Sequence, residues 1–266
     1  MKAHKFLEEK GLDFEVVEQD NPTKSCDDAA RERGVETSQI VKSLIVERHE
    51  EKGLKDGDLI HVLLPGDREI SEKKFGESHL IPPEKSAEIT GFESGKVHPF
   101  STEIKHVIDY RVLENNQVSF TVGEQLKGVI IDTEQFREGL DRSDFEYEVK
   151  DISLTTQEDI EKLKESGLEE EYAKFIADKG LSPLYLELDL DPEEVVKAFQ
   201  ELLRHEITPE KEVVEEIIEA SENLNHLQKL VEEYAETGKI TDSGSFELKE
   251  VIEDIFDDHP EALEDL

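Results

Sequence analysis

The stretch Gln39-Ile40-Val41-Lys42-Ser43-Leu44-Ile45-Val46 places one lysine inside a run that otherwise has the pattern of a buried β-strand. Its apolar, β-branched residues favour a strand. An ammonium group there is costly unless it is paired or meets an anionic ligand, although a lysine on an edge strand can also extend to water. Lys42 is therefore the first candidate functional residue, and Ser43 either lines the same pocket or packs as a small residue in the sheet.

Two later segments supply further candidates. Leu64-Pro65-Gly66-Asp67-Arg68-Glu69 predicts a turn, and Thr90–Phe100 contains Gly95 and Pro99 in one loop. Glycine lets backbone N–H groups come close to a ligand, and proline rigidifies a turn. Such a loop is suited to stabilising an oxyanion, although the same residues also occur in ordinary turns.

Residues 1–150 alternate between short helices and strands. Ser25 and Asp28 have capping-box spacing, and the helix that they open ends at Gly34. The predicted strands are Asp13–Glu18, Ile40–Glu47, Leu59–Leu64, Val107–Asp109, Gln117–Val122 and Gly128–Ile131. This order predicts an α/β or α+β domain with a mixed sheet.

In order and spacing, these motifs resemble the YbaK/ProX family of aminoacyl-tRNA editing domains, over roughly residues 3–140. The family places a capped helix before a lysine-bearing strand. A Pro-Gly-Asp-Arg turn, a Gly-x-x-x-Pro loop, an Ile-Asp strand and a glycine turn then follow. The matching residues here are Ser25, Gly34, Val35, Lys42, Ser43, Pro65–Arg68, Lys73, Lys74, Thr90–Phe92, Gly95–Pro99, Ile108, Asp109 and Gly123.

The resemblance implies an activity and a set of site residues. It implies hydrolysis of the ester of a mischarged aminoacyl-tRNA, with the water activated largely by the ribose hydroxyl of the substrate and without a cofactor. Lys42 and Gly95 are then the expected catalytic residues. The expected substrate-binding residues are Ser43, Lys96, Val97, His98, Pro99, Asp109 and Gly123, and the expected tRNA-binding residues are Arg68, Lys73 and Lys74.

Some of these residues have simpler interpretations. His98 has the pattern of an exposed loop histidine, and Asp109 that of a residue capping a loop. Lys96 and Ser101 stand where the family often has glycine, and Gly123 is what remains of a multi-glycine turn. These departures leave open which amino acid is removed.

The chain carries 68 acidic and 31 basic residues, a formal net charge of −37. Residues 1–150 hold 33 acidic and 21 basic residues, whereas residues 151–266 hold 35 and 10. This change predicts a domain boundary near residue 150. Acidity spread along the whole chain opposes non-specific binding to nucleic acid unless salt screens the repulsion, so DNA is not an expected partner. The same spread of acidic residues is typical of a salt-adapted cytoplasm.

Several classes of protein are not expected. Cys26 is the only cysteine, so an internal disulfide is impossible and a reducing cytosol is favoured. Met1–Lys10 lacks the apolar core of a signal peptide, and no run approaches the roughly 18 apolar residues of a membrane span. No His-x-x-x-His or Cys-x-x-Cys spacing indicates a metal site. The sequence predicts a cytoplasmic protein without membrane partner, metal or cofactor.

The pattern becomes helical after Thr156. Residues 151–192 are predicted as a helical linker, with a hinge and a short extended piece over Leu181–Pro192. Residues 193–266 predict an all-α bundle. Its expected helices are Glu193–His205, one that begins at Pro209, Leu224–Ala235, Phe246–Phe256 and Pro260–Leu266.

The end of the chain has a resemblance of its own. Ile240-Thr241-Asp242-Ser243-Gly244 and the later segment His259–Asp265 resemble the GatB/YqeY tail domain of tRNA-dependent amidotransferases, in truncated form over roughly residues 190–266. A generic acidic bundle is the alternative. The resemblance implies a module that engages tRNA or a partner protein.

Together the two resemblances predict a free-standing trans-editing hydrolase that acts on the CCA end of aminoacyl-tRNA. The rival hypothesis is a non-catalytic adaptor that delivers charged tRNA to an amidotransferase or an aminoacyl-tRNA synthetase. A third is an acidic scaffold with a relict pocket.

The net charge predicts a salt-dependent stability. Repulsion among the excess carboxylates weakens as the Debye length falls from about 10 Å at 0.1 M salt to about 3 Å at 1 M. The melting temperature, followed by circular dichroism, should rise between these two concentrations. A flat or falling melting temperature would contradict salt adaptation.

Overall fold

The structure is a computed structural model that describes residues 1–48 and 57–240. It contains eight strands in these ranges. They are β1 (Glu15–Glu18), β2 (Val41–Arg48), β3 (Asp58–Pro65), β4 (Ser78–Leu80), β5 (His106–Asp109), β6 (Gln117–Thr121), β7 (Lys127–Asp132) and β8 (Tyr147–Lys150). The six predicted strands all form, and β4 and β8 are additional.

The strands form two sheets. The smaller has the order β1-β7-β6 and is antiparallel. The larger has the order β4-β2-β3-β5-β8, with antiparallel pairing from β4 to β3 and parallel pairing from β3 to β8. One parallel bridge, between Ile40 and Ser119, links them. The predicted α/β class with a mixed sheet is confirmed.

Eleven α-helices lie in the described residues. They are α1 (Ala3–Glu9), α2 (Cys26–Arg33), α3 (Glu72–Phe75), α4 (Pro83–Thr90), α5 (Thr133–Asp141), α6 (Gln157–Glu165), α7 (Glu170–Asp178), α8 (Ser182–Glu187), α9 (Pro192–Arg204), α10 (Lys211–Ala220) and α11 (Leu224–Thr237). Short 3₁₀ helices span Thr37–Gln39 and Tyr110–Leu113.

The predicted start and stop of α2 are confirmed. The Ser25 hydroxyl accepts a hydrogen bond from the Asp28 N–H at 3.1 Å, which satisfies one of the free N–H groups of the first turn. Gly34 ends the helix at φ +68°, a left-handed conformation that glycine adopts without steric cost.

The predicted hinge over Leu181–Pro192 is wrong in part, because Ser182–Glu187 forms α8. Pro183 lies in the first turn of α8, where the missing N–H of proline costs no hydrogen bond within the helix.

A cluster of buried charges lies beside β5 and α6. Arg111 contacts the carboxylates of Asp109 at 3.2 Å, Asp151 at 2.9 Å and Asp159 at 2.8 Å. Asp109 also accepts hydrogen bonds from the Ser153 hydroxyl and from three backbone N–H groups. One guanidinium therefore offsets several carboxylates that would otherwise be very costly to bury.

The chain divides into two compact units. The first comprises Met1–Glu165 and Ala173–Pro183, and the second comprises Ser166–Tyr172 and the described residues from Leu184 onward. The first is longer than the predicted domain of residues 1–150 because the segment that follows β8 supplies carboxylates to the buried charge cluster.

The second unit is helical. Helix α9 is capped by Asp191, whose carboxylate accepts hydrogen bonds from the N–H groups of Glu193 and Glu194, and it packs against both α10 and α11. Their buried faces carry aliphatic residues and Phe199 at helical spacing, as predicted. The helices predicted at Phe246–Phe256 and Pro260–Leu266 lie outside the described residues. So do residues 241–244 and His259–Asp265, which carry most of the resemblance to the GatB/YqeY tail.

Removing the central guanidinium should destabilise the first unit strongly. Arg111→Met leaves Asp109, Asp151 and Asp159 buried with fewer partners, and breaking a buried ion pair in this way costs about 3–5 kcal/mol. Urea unfolding of the variant and of the wild-type protein measures this free energy.

The control is Lys162→Met, which removes an exposed ion pair with Glu114. Exposed pairs contribute less than about 1 kcal/mol. Equal and small losses in both variants would contradict a central role for Arg111.

Candidate functional site

A cavity of about 590 Å³ lies where β2 and β6 diverge. The two strands meet at the Ile40–Ser119 bridge, and beyond it they separate. One edge of β2 pairs with β3 along its whole length. On the opposite edge β4 pairs only with Val46–Arg48, so among the described residues no strand lies beside Val41–Ile45 there. This edge borders the cavity, together with Phe120 and Thr121 of β6, α2, the start of α4 and the loop that contains Gly95.

Lys42 lines this cavity. Its ammonium group donates a hydrogen bond to the backbone carbonyl of Arg68, in the turn after β3. An ammonium carries three N–H donors, so this bond fixes its position and leaves donors for a ligand. The structure thus holds Lys42 in place without a carboxylate partner among the described residues.

Ser43 lines the cavity as well. Its hydroxyl is buried, and it has no hydrogen-bond partner in the part of the chain that the structure describes. A buried hydroxyl without a partner costs about 1–3 kcal/mol. A polar group of a ligand in the cavity would remove this cost.

The loop around Gly95 closes one side of the cavity. The Lys96 N–H donates to the Glu93 carbonyl at 2.9 Å, and Gly95 has φ +80° within this turn. A Cβ on Gly95 would meet no atom within 4 Å, so the glycine is required by the backbone conformation and not by crowding. Val97, which follows, is buried and lines the cavity.

Arg33 is a cavity residue that the sequence interpretation did not include. It lies at the end of α2 and is 9% exposed, and its side chain donates to the Ser119 hydroxyl at 3.2 Å. Burial lowers its pKa to about 10. The signal was present, because Cys26, Ala29, Ala30 and Arg33 share one helical face, so the arginine occupies an apolar position.

A second, smaller cavity of about 330 Å³ shares part of this wall. Thr23, Arg33, Ser94, Gly95 and Thr121 line both cavities. The smaller one is also bordered by basic and acidic side chains, and these are Lys96, Lys127, Glu93 and Glu124. The shared residues place the two cavities side by side.

Three predicted substrate-binding residues support the loop from behind. His98 is fully buried, not exposed, and its ring nitrogens bond the Met1 carbonyl at 3.0 Å and the Phe100 N–H at 3.3 Å. The Pro99 carbonyl bonds the His106 ring at 2.9 Å. Gly123 lies against the Phe92 ring, where a Cβ would clash. These three are absent from the residues that line either cavity.

The other predicted residues lie apart from both cavities. Asp109 is in the buried charge cluster, and Arg68 contacts Asp159 at 2.9 Å. Lys74 is buried against Asp151 at 2.9 Å, whereas Lys73 is exposed. Among the predicted site residues, the structure therefore brings together Lys42, Ser43, Gly95, Val97 and, at the smaller cavity, Lys96.

Within residues 1–48 and 57–240, no group of three or more His, Cys, Asp or Glu side chains is arranged to hold a metal ion. No helix in the same ranges is both long and apolar enough to span a membrane.

Comparisons with known proteins bear on the segment that contains the cavities. Residues 20–138 match the family model of the aminoacyl-tRNA editing domain. This match confirms the family resemblance for that segment, and it covers β2, β6, α2 and the Gly95 loop.

The chain is also similar to individual proteins. It is 31% identical over 121 residues to the proline–tRNA ligase of Thermodesulfovibrio yellowstonii, covering 44% of this chain and 20% of the ligase. The chain thus spans about a fifth of the length of that relative.

Two crystal structures are similar to part of the chain. One, proposed to be a trans-editing enzyme for prolyl tRNA synthetase, is 25% identical with a TM-score of 0.47, over 57% of this chain and 94% of that one. The other, a hypothetical protein, is 24% identical with a TM-score of 0.49, over 58% and 100%.

The buried histidines predict loss of stability in mild acid. Burial lowers the pKa of His98 and of His106 to about 4, and lowers the pKa of His61 well below its usual range. Between pH 6.5 and 4 the unfolded chain therefore binds more protons than the folded one, so unfolding becomes easier as the pH falls. The melting temperature should drop from pH 7 to pH 5. At pH 5 the low pKa of His98 alone should lower the free energy of unfolding by about 2 kcal/mol.

His98→Asn should reduce the size of this drop. His79→Asn, which changes an exposed histidine, is the matched control and should leave it unchanged. An identical pH dependence in the wild-type protein and both variants would show that His98 does not titrate in this way.

Proposed function

We propose that this chain hydrolyses the ester bond of mischarged aminoacyl-tRNA as a trans-editing enzyme. The observation that carries the proposal is the cavity between β2 and β6, which brings Lys42, Ser43 and Gly95 together inside the segment that matches the editing-domain family. Its volume of about 590 Å³ suits a ligand of limited size.

The proposed reaction is the addition of water to the ester carbonyl. The ribose hydroxyl next to the ester relays a proton, as the family resemblance implies: it receives one from the attacking water, and its own proton passes to the ribose oxygen that leaves. The tetrahedral intermediate then collapses, the bond to the ribose oxygen breaks, and free amino acid and uncharged tRNA result. The carbonyl oxygen becomes an oxyanion during this step and needs hydrogen-bond donors in fixed positions.

The residues of the cavity have distinct proposed roles. The backbone N–H groups of Gly95 and Val97 stabilise the oxyanion, since both residues line the cavity, whereas the Lys96 N–H between them already bonds the Glu93 carbonyl. The Lys42 ammonium, held by the Arg68 carbonyl, anchors the CCA end, and the Ser43 hydroxyl bonds a polar group of the aminoacyl moiety. Val97 and Ile45 limit the space for the side chain of the amino acid.

The helical part has a supporting role in this proposal. We retain the predicted division into an editing domain of residues 1–150, a linker of residues 151–192 and a tail of residues 193–266. The net charge of −25 over residues 151–266 favours a basic protein surface over tRNA as the binding partner of this part. An aminoacyl-tRNA synthetase or an amidotransferase is the proposed partner.

A non-catalytic adaptor is the second candidate. One observation favours it: Lys96 stands where the family has a second loop glycine, and its side chain is paired with Glu93 at 2.7 Å. A side chain there restricts how closely the backbone of the loop approaches an ester. An adaptor would bind charged tRNA and leave the ester intact.

Lys42→Ala should reduce deacylation at least tenfold, which is about 1.4 kcal/mol of transition-state stabilisation. The assay follows the release of amino acid from tRNAs charged with alanine, proline, cysteine or serine, and it also shows which of them is a substrate. Lys105→Ala, at an exposed ion pair with Glu148, is the matched control for loss of one positive charge.

Ser43→Ala separates function from folding. Since it removes a buried hydroxyl that has no partner, its melting temperature should equal or exceed that of the wild-type protein, while deacylation falls. Binding of charged tRNA without deacylation by the wild-type protein would reject the enzyme and favour the adaptor. An unstable but fully active Lys42→Ala protein would reject the role given to Lys42.

A further inference from the structure

Arg33 is a buried cation without a counterion. Its side chain has one bond, to the Ser119 hydroxyl, and its Nε has no hydrogen-bond partner among the described residues. No carboxylate of residues 1–48 and 57–240 lies within ion-pair distance of it. By contrast, Arg111, Arg68 and Lys74 are buried to a similar degree and each contacts an aspartate within 3 Å.

The surrounding strands are adapted to hold this guanidinium. A Cβ on Gly128 of β7 would lie 2.6 Å from Cζ of Arg33, so any larger residue would displace the side chain. The Ser119 hydroxyl donates to the Val129 carbonyl at 2.7 Å, which directs its lone pairs towards Arg33. The position is therefore built into two strands and is not an accident of a flexible surface side chain.

The guanidinium stands between the two cavities. It lines the larger one, which contains Lys42 and Ser43, and the smaller one, which contains Lys96 and Lys127. Those two surface lysines already have carboxylate partners, with Glu93 at 2.7 Å and Glu18 at 3.8 Å. Arg33 is thus a basic residue of the wall that the two cavities share, and it has no carboxylate partner among the described residues.

A buried guanidinium is strongly destabilising unless an anion offsets its charge. Burial lowers the pKa of Arg33 only to about 10, so its side chain is still protonated at neutral pH. Its fork of N–H donors matches the oxygens of a phosphate or carboxylate. The Ser119 hydroxyl takes one N–H of the guanidinium, and Nε is buried without a partner among the described residues, so the remaining terminal N–H donors are left for a ligand.

We propose that Arg33 binds the phosphodiester group of the terminal nucleotide of the tRNA while the aminoacyl ester of that nucleotide lies against Lys42 and Gly95. The inference rests on the proposed function. In that reaction the group in the larger cavity is an ester on a ribose, and the same nucleotide carries one phosphate. A nucleotide that extends from the larger cavity into the smaller one passes Arg33, so its phosphate meets the unpaired guanidinium.

This assignment divides the work between two basic residues. Lys42, held by the Arg68 carbonyl, is left to the ribose and the ester. Arg33 is then a positioning residue that sets how far the nucleotide enters, and it neutralises the charge that an acidic protein would otherwise repel.

The test compares the binding of adenosine 5′-monophosphate with that of adenosine, by NMR titration of the full chain at one salt concentration. The wild-type protein should bind the monophosphate at least tenfold more tightly than adenosine. Arg33→Leu should abolish this preference, and Arg33→Lys should restore part of it, because lysine supplies a point charge without the fork. The melting temperature of Arg33→Leu should equal or exceed that of the wild-type protein, since a buried unpaired charge is removed.

Equal affinities for the two probes in the wild-type protein, or undetectable binding of both, would overturn the inference. So would a preference for the monophosphate that persists in Arg33→Leu. If Arg33→Leu instead abolished deacylation of tRNA charged with aspartate and left the preference for the monophosphate unchanged, the guanidinium would recognise an acyl carboxylate, and the inference would again fail.

The binding test does not depend on hydrolysis. A preference for the monophosphate that requires Arg33, in a protein without deacylase activity, would support this inference and reject the proposed enzyme. Deacylase activity together with equal affinities for the two probes would do the reverse.

Discussion

The parallel bridge between Ile40 and Ser119 is the constraint on which the site depends. It joins the two sheets at one point and allows β2 and β6 to separate beyond it. A sheet that continued past this point would have filled the edge of β2 with backbone hydrogen bonds. Because the strands separate, the edge that carries Lys42 and Ser43 borders a cavity instead, and helix α2 and the Gly95 loop enclose it.

Among the described residues, basic side chains have carboxylate partners in one part of the first unit and none in another. Beside β5 and α6, basic side chains are buried together with aspartates, and Arg111 contacts three of them. Such a cluster holds the segment after β8 to the sheet. Around the cavity, Arg33 and Lys42 have no carboxylate partner among the described residues. In a chain with a net charge of −37, this local excess of positive charge is the surface on which an anionic ligand would meet least repulsion.

Pairing with buried aspartates explains why some basic residues that match the family motif lie outside the candidate site. Arg68 follows the Pro-Gly-Asp turn as the motif requires, yet its guanidinium contacts Asp159 while its backbone carbonyl positions Lys42. Lys74 is likewise held by Asp151. A motif specifies which residues occur in order. It does not specify which carboxylates from more than 75 residues further along the chain will reach them.

The sequence by itself determined six of the eight strands in the described residues, the capped helix α2, the helical character of the described residues after Thr156 and the family resemblance of residues 20–138. These follow from local rules, namely side-chain periodicity, capping by Ser25 and the conformational freedom of Gly34 and Gly95. It also identified Lys42 as a candidate functional residue, because an ammonium group is unusual in an apolar strand. Only the tertiary structure decided that His98 is buried, that Asp109 belongs to an ion cluster and that Arg33 faces the cavity. The reason is that burial, pairing and the divergence of two strands depend on residues that are distant in sequence, and local patterns do not contain that information.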